Sequence, residues 1–415
     1  MCGGNSLSGS VKISGSKNGS LPIMAAALLF NSPVFLSNIP YLLDVNTMAK
    51  IISSLGGKVD FRGNSEILID PSNVSRYDPP LEPVIAMRAS FLVAGALLAR
   101  FGRAKVALPG GCAIGSRPVD IHLKGFEALG VKRSIEHGFV NLECDKLKGA
   151  NIYLSYPSVG ATENLIMASV FAEGMTVIDN AAKEPEILGL SEFLNLCGAK
   201  IRGAGSRTIE IEGVKSLKPI DNYTIIPDRI EAGTLMLAGA ITRGDILVEN
   251  ISSDYLSSVI EKMIEAGIEV LPEKNGIRVR CNNRPKPVTI KTSPHPGFPT
   301  DMQAQFMALL SLGEGTSVIT EMVFENRYLH AEELSRLGAD IRVDGRTAVV
   351  VGVDHLSGAP VRALDLRAGA ALVIAGLMAE GETRVFGLSH LNRGYENLEI
   401  KLSNLGACIS KEVLP

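Results

Sequence analysis

The run Leu55-Gly56-Gly57-Lys58-Val59 sets a glycine between an apolar segment end and a β-type segment start. The chain repeats this arrangement at Leu129-Gly130-Val131-Lys132, Cys197-Gly198-Ala199-Lys200-Ile201, Ala266-Gly267-Ile268-Glu269-Val270, Leu337-Gly338-Ala339-Asp340-Ile341 and Leu405-Gly406-Ala407-Cys408-Ile409. Successive repeat glycines lie 74, 68, 69, 71 and 68 residues apart, so six units of about 70 residues account for nearly the whole chain. Just upstream of the first glycine, Val45, Met48, Ile52 and Leu55 fall at helical spacing with Lys50 and Ser53 between them. A glycine past such a helix suits a left-handed cap, because without a Cβ that conformation has no steric cost.

Working outward, each unit opens with a segment that is apolar on nearly every side: residues 21–30, 91–99, 165–172, 234–241, 305–312 and 370–379. These read as buried helices. A short strand follows, as at residues 175–179 and 245–249, then the amphipathic helix, then two closing strands such as 67–69 and 209–212. The unit is therefore α-β-α-β-β and the fold class mixed α/β. Six buried helices exceed one small core, which predicts three units per domain. The breaks fall near residues 14–17 and 223–228, giving one domain of residues 17–226 and a second of residues 1–16 with 227–415. The chain crosses twice between them, which suggests a hinge. The last unit lacks a final strand, and residues 11–14 are expected to supply it.

The 415 residues include 41 Lys+Arg against 44 Asp+Glu, 5% aromatics and no Trp. A near-neutral chain with few aromatic rings is poorly equipped for nucleic acid. No apolar run reaches the roughly 18 residues of a membrane span, and the start Met-Cys-Gly-Gly-Asn-Ser is not built like a signal peptide. Six cysteines without a C-x-x-C pair indicate reduced thiols in a cytoplasmic protein. The six histidines show no H-x-x-x-H spacing, so no metal is expected.

Polar residues cluster at the heads of the buried helices: Lys17 with Asn18, Arg88, Ser158, Arg229, Asp301 and Arg367. They can cap or stay hydrated, or they can bind anions, since helix amino termini present unpaired N–H groups and a favourable dipole. Between a strand and a helix, Pro109-Gly-Gly-Cys112-Ala-Ile-Gly-Ser-Arg117-Pro118 packs three glycines into ten residues. A thiol near a cation in such a loop is reactive, whereas Cys144, Cys197, Cys281 and Cys408 read as inert core thiols. In His295-Pro-Gly-Phe-Pro-Thr-Asp301, the carboxylate heads a buried helix, either as a cap or as a general base.

These segments, together with Gly15-Ser-Lys17-Asn18, Met87-Arg88-Ala89-Ser90, Val119-Asp120-Ile121-His122, Pro157-Ser158-Val159-Gly160, Pro227-Asp-Arg-Ile-Glu231, Val323-Phe-Glu-Asn-Arg327 and Arg393-Gly-Tyr-Glu396, resemble the enolpyruvyl transferase family. The resemblance implies a two-domain inverse α/β barrel (an α/β prism) of six repeats, with the active site in the cleft between the domains. It implies phosphoenolpyruvate and UDP-N-acetylglucosamine as substrates, and no cofactor or metal. Lys17, Arg117 and Arg393 would hold the phosphate and carboxylate of phosphoenolpyruvate, and Arg88 and Arg367 would complete the cationic wall. Lys17 and Asn18 would also touch the sugar. Arg117, Pro118, Val119, Asp120, Ile121 and His122, with Ser158, Val159, Gly160 and Val323, would line the UDP-sugar site. Asp301 would act on the sugar 3-hydroxyl. Cys112 would donate a proton to phosphoenolpyruvate, form a covalent adduct with it and be the target of fosfomycin.

The chain starts a few residues later than most members, which predicts either a shortened edge strand or a translation start set too far in. Tyr156 stands where some members have a lysine, which predicts a weaker diphosphate contact. A 5-enolpyruvylshikimate-3-phosphate synthase would lack the cysteine loop. A non-catalytic UDP-sugar binder would not need Cys112 and Asp301 together.

Overall fold

The computed structural model describes residues 1–63, 65–108 and 119–412. The fold is mixed α/β. The six repeat glycines all take the left-handed conformation, with φ of 106°, 90°, 102°, 81°, 95° and 102° at Gly56, Gly130, Gly198, Gly267, Gly338 and Gly406. Each follows a helix: Leu43–Ser54, Asp120–Ala128, Pro185–Leu196, Ser257–Glu265, Leu329–Arg336 and Leu398–Asn404. The helices read as apolar all round are buried. All thirteen residues of Arg229–Ile241 are inside, as is every residue of Leu366–Gly376 after the first.

The chain divides into two compact units, one of residues 15–108 with 119–226, the other of residues 1–14 with 227–412. The first contains the sheets Tyr223–Thr224, Val34–Ser37, Glu66–Asp70, Lys58–Arg62; Arg103–Ala107, Phe139–Glu143, Lys132–Glu136; and Lys200–Arg202, Thr208–Glu212, Met175–Asp179, Asn151–Tyr153. The second contains Ser8–Lys12, Asp245–Glu249, Gly276–Arg280, Glu269–Glu273; Thr289–Lys291, Thr316–Thr320, Thr347–Val351, Asp340–Asp344; and two two-stranded sheets near its carboxyl end. The last two strands of a unit pair antiparallel, for example Lys200 with Glu212.

Two expectations need correction. The amino-terminal strand does not close the last unit. Ser8–Lys12 pairs in parallel with Asp245–Glu249, Ser8 opposite Asp245, and its apolar Val11 joins the core of that unit. Short strands also precede several buried helices and were not read from the sequence: Asn151–Tyr153 pairs in parallel with Val177–Asp179, and Thr289–Lys291 with Val318–Thr320. The same kind of pairing sets Tyr223–Thr224 beside Leu36–Ser37. Among the thiols, Cys144, Cys197 and Cys281 are raised above the ordinary thiol pKa by burial. Cys408, expected in the core, is exposed, as is Cys2, whose amide donates to the Cys408 carbonyl at 3.0 Å.

On the Arg229–Ile241 helix, Glu231 is buried and accepts from the Ser14 amide at 2.8 Å and from Lys401 Nζ at 2.5 Å. Burial outweighs Lys401 and pushes the carboxyl up from 4.5 to about 7. A raised native pKa contributes stability that is full below about 4.5 and lost as pH rises through about 7. Denaturant titrations of Glu231→Gln should lack that decline across the window; an unchanged pH slope would contradict it.

The repeat glycines yield a second expectation. At Gly198 an added Cβ meets nothing within 4 Å, so Gly198→Ala tests backbone strain alone and should cost about 1 kcal/mol in unfolding free energy. At Gly213 the Cβ would lie 1.7 Å from the Ala172 carbonyl oxygen, so Gly213→Ala should cost more. Equal stability of Gly198→Ala and wild type would remove the left-handed cap from the account.

Candidate active site

In the unit that carries Asp301, three buried helices begin with charged groups. Asp228 caps Arg229–Ile241, accepting from the Ile230 and Glu231 amides at 2.8 and 3.0 Å. Asp365 caps Leu366–Gly376 through the Arg367 and Ala368 amides at 2.8 and 3.0 Å. Asp301 differs. It lies in the single turn Thr300–Met302 ahead of Gln303–Leu310, whose start is not capped by its side chain. Its Oδ2 accepts from Arg367 Nε at 3.1 Å and Nη2 at 2.9 Å, and its Oδ1 accepts from Arg327 Nη2 at 2.9 Å.

Both arginines are buried, their side chains 3% and 5% exposed, while the Asp301 side chain is 27% exposed. The carboxylate is thus oriented from behind by two guanidiniums and reaches solvent in front. Oδ2 spends both of its lone pairs on Arg367, so a hydroxyl that donates to Asp301 would have to approach Oδ1. Burial works against the Arg367 charge, but Asp301, then Tyr395 and Asp228, outweigh it and hold the guanidinium above its usual range. The guanidinium lies 5.4 Å over the Tyr395 ring. Its Nη1 is buried without a partner among the described residues, and an unsatisfied buried donor favours a ligand anion.

A second layer fixes the same segment. Gln305 Nε2 donates to the Asp301 carbonyl at 2.9 Å and to Tyr395 Oη at 3.2 Å. Glu321, fully buried, accepts from the Thr292 and Thr300 hydroxyls at 2.8 Å each, and from the Val323 and Phe324 amides at 2.8 and 3.1 Å. One carboxylate therefore ties the strand end, the Asp301 turn and the Val323 loop together. Arg393 lies in the turn after the short helix Leu388–Leu391 and is half-buried.

The other unit places its site residues at helix starts as well. Lys17 and Asn18 open Lys17–Ala26, capped by Ser16 Oγ accepting from the Gly19 amide at 3.0 Å. Lys17 Nζ lies 3.6 Å from the buried Asp44. Arg88 begins the turn Arg88–Leu92. Ser158 caps Val159–Ser169, accepting from the Ala161 amide at 3.4 Å. Val119 precedes Asp120–Ala128, which carries Asp120, Ile121 and His122 in its first turn. Asp120 Oδ1 is buried without a partner among the described residues. Tyr156 is 39% exposed.

Cys112, Arg117 and Pro118 lie outside the described residues. Sequence reasoning missed three functional neighbours. Arg327 was seen as part of a motif but given no role, and Asp44 and Glu321 were not singled out. A lone acidic or basic residue gives no sign of its partner when that partner is 26 or more residues away, as Arg327 is from Asp301. Among the described residues, no group of three or more His, Cys, Asp and Glu side chains is placed to hold a metal ion. No described helix is long and apolar enough to cross a membrane.

The sequence profile of the family described as EPSP synthase (3-phosphoshikimate 1-carboxyvinyltransferase) matches residues 1–402. The chain is 55% identical to UDP-N-acetylglucosamine 1-carboxyvinyltransferase 2 of Carboxydothermus hydrogenoformans, over 98% of this chain and 97% of that one. It is 54% identical, with the same coverage, to UDP-N-acetylglucosamine 1-carboxyvinyltransferase 1 of Caldanaerobacter subterraneus subsp. tengcongensis. Among solved structures, the enolpyruvyl transferase NikO from Streptomyces tendae superposes with a TM-score of 0.88 at 27% identity, covering 98% of this chain and 97% of that one. EPSP synthase from Acinetobacter baumannii shares the fold, with a TM-score of 0.76 at 16% identity and the same coverage. With this identity spread over nearly the full length, the chain belongs to the EPSP synthase family of enolpyruvyl transferases, among its UDP-N-acetylglucosamine 1-carboxyvinyltransferases.

Proposed function

We propose that the chain transfers the enolpyruvyl group of phosphoenolpyruvate to the 3-hydroxyl of UDP-N-acetylglucosamine, the first committed step of peptidoglycan synthesis, in the cytoplasm. The observation that carries this reading is the Asp301 carboxylate, held by the buried Arg327 and Arg367 while its own side chain is 27% exposed, in a chain whose relatives are named for that transfer. In the proposed sequence, the Cys112 thiol protonates the methylene carbon of phosphoenolpyruvate, which makes C2 electrophilic. The sugar oxygen adds to C2 as its proton passes to Asp301, giving a tetrahedral ketal. The methyl group returns a proton to the Cys112 thiolate as phosphate departs by C–O cleavage with the proton held on Asp301, which restores the double bond and both side chains.

The substrates bring up to five negative charges at neutral pH, about three on phosphoenolpyruvate and two on the diphosphate. Lys17, Arg88, Arg117, Arg367 and Arg393 supply fixed countercharge, a large stabilising term wherever charge develops. Arg367 Nη1, without a partner among the described residues, is assigned to a substrate anion. Asn18, Val119, Asp120, Ile121, His122, Ser158, Val159, Gly160 and Val323, with Pro118, are assigned to the UDP-sugar. We also propose the architecture that the repeat implies: an inverse α/β barrel of three units in residues 17–226 and another in residues 1–16 with 227–415, both contributing groups to the reaction.

The purified chain should release phosphate from phosphoenolpyruvate only when UDP-N-acetylglucosamine is present; release with shikimate-3-phosphate instead would overturn the reading. Asp301→Asn should keep the fold and lower kcat roughly 100-fold or more, the scale of a general base, and near-normal turnover would reduce Asp301 to a structural ion-pair partner. Fosfomycin should leave one covalent adduct on Cys112, with the exposed Cys2 and Cys408 unmodified because none of the cations assigned to phosphoenolpyruvate belongs to their segments. Cys112→Asp should keep part of the activity and resist the drug, while Cys112→Ser, a far weaker acid, should lose turnover. Peptide mass spectrometry finding the adduct elsewhere, or full activity in Cys112→Ser, would remove Cys112 from the mechanism.

A further inference from the structure

Behind the Ser158–Gly160 segment, His122, assigned above to the UDP-sugar, forms a buried pair with Asn164, which has no role so far. His122 is 7% exposed and Asn164, on Val159–Ser169, is fully buried. The chemistry of its neighbours fixes the Asn164 amide. The Gly95 N–H, 2.7 Å from Oδ1, can only donate, and the Phe91 carbonyl, 3.1 Å from Nδ2, can only accept. Nδ2 therefore donates its second hydrogen to His122 Nδ1 at 3.0 Å. A ring nitrogen that accepts carries no proton, so the proton of the neutral imidazole sits on Nε2.

The surroundings are built for this contact. A β-carbon at Gly95 would lie 2.2 Å from the Asn164 carbonyl oxygen and 2.8 Å from Oδ1, so glycine lets the two helices meet. The Phe91 ring meets the imidazole edge-on, centroids 5.2 Å apart. Burial, and then the Arg88 charge, push the imidazole down to about 3, so the ring stays neutral across the working range. Its other edge lies against Gly160, where a β-carbon would stand 3.3 Å from Cε1 and 3.6 Å from Nε2. Nε2 has no hydrogen-bond partner among the described residues.

We infer that Asn164 is a positioning residue: it locks His122 as the Nε2–H tautomer, so that one fixed neutral donor meets an oxygen of the UDP-sugar at the Ser158–Gly160 turn. The ligand half of this inference rests on the UDP-sugar reading of that turn; the tautomer does not. A neutral donor suits the place, because it adds a directed hydrogen bond without burying a positive charge beside Arg88.

Nitrogen-15 NMR of the histidine rings in the whole enzyme tests both halves. Without ligand, His122 should carry its proton on Nε2 and none on Nδ1 between about pH 6 and 8; a proton on Nδ1 overturns the lock. Asn164→Asp replaces the donor facing Nδ1 by an acceptor and should move a proton onto Nδ1; an unchanged ring also overturns it. Saturating UDP-N-acetylglucosamine should shift the Nε2 signal and leave Nδ1 in place, and an unmoved Nε2 overturns the ligand contact. Uridine and UMP, added separately, assign the acceptor to the base or to the phosphate by which of them shifts Nε2. His122→Phe keeps a ring against Phe91 and removes the donor. It should raise KM for UDP-N-acetylglucosamine roughly 5- to 10-fold, the scale of one neutral hydrogen bond, with KM for phosphoenolpyruvate within about 2-fold. An equal rise in both constants overturns the contact. If wild type releases no phosphate from the two substrates, the proposed function fails, while the ligand-free tautomer still decides the lock.

Discussion

A helix buried on all sides can carry charge at little cost only where its axis ends, and this constraint organises the molecule. Arg229–Ile241 and Leu366–Gly376 have no exposed flank, so a charged side chain at mid-helix would be left without water or a partner. At the amino terminus the free N–H groups and the dipole offset that cost for a carboxylate such as Asp301. A cation there is offset instead by a carboxylate beside it, Arg367 by Asp301 and Lys17 by Asp44. Lys17, Arg88, Asp301 and Arg367 all stand in such first turns. The chemistry is located where it is because packing leaves few other places for it.

Within that frame, charges near the site are held in place rather than left loose. Asp301 is fixed by Arg327 and Arg367, Lys17 lies near Asp44, and Glu321 gathers two hydroxyls and two amides. Each group is aimed before substrate arrives, which lowers the reorganisation a reaction would otherwise require. Asn164 and His122 apply the same principle without charge: two obligate backbone groups orient an amide, the amide orients a proton, and the proton is presented at the ring's far edge.

Much of this was legible in the sequence because it is periodic or steric. Gly56, Gly130, Gly198, Gly267, Gly338 and Gly406 announce themselves by spacing, and their left-handed backbone explains the choice of residue. The buried helices are legible from unbroken apolar runs, and Asp301 from its place at the head of one. What was not legible depends on contacts remote in the chain. Arg327 and Glu321 look like surface charges until folding sets them against Asp301 and Thr292. Strands of three residues such as Asn151–Tyr153 are too short to show alternation. Ser8–Lys12 has one buried position, so nothing in its own pattern selects Asp245–Glu249 as a partner. Asn164 reads as an ordinary helix residue, and only its three hydrogen bonds reveal what it does.

The central claim is that Asp301, steadied by two buried guanidiniums, receives the proton of the sugar hydroxyl. A crystal structure of the chain bound to UDP-N-acetylglucosamine tests it most directly. The account predicts an Asp301 carboxylate oxygen within roughly 3.2 Å of the 3-hydroxyl, the reach of a general base, with both arginine contacts kept. A complex in which the 3-hydroxyl faces another side chain, with Asp301 still closed upon Arg327 and Arg367, would contradict it.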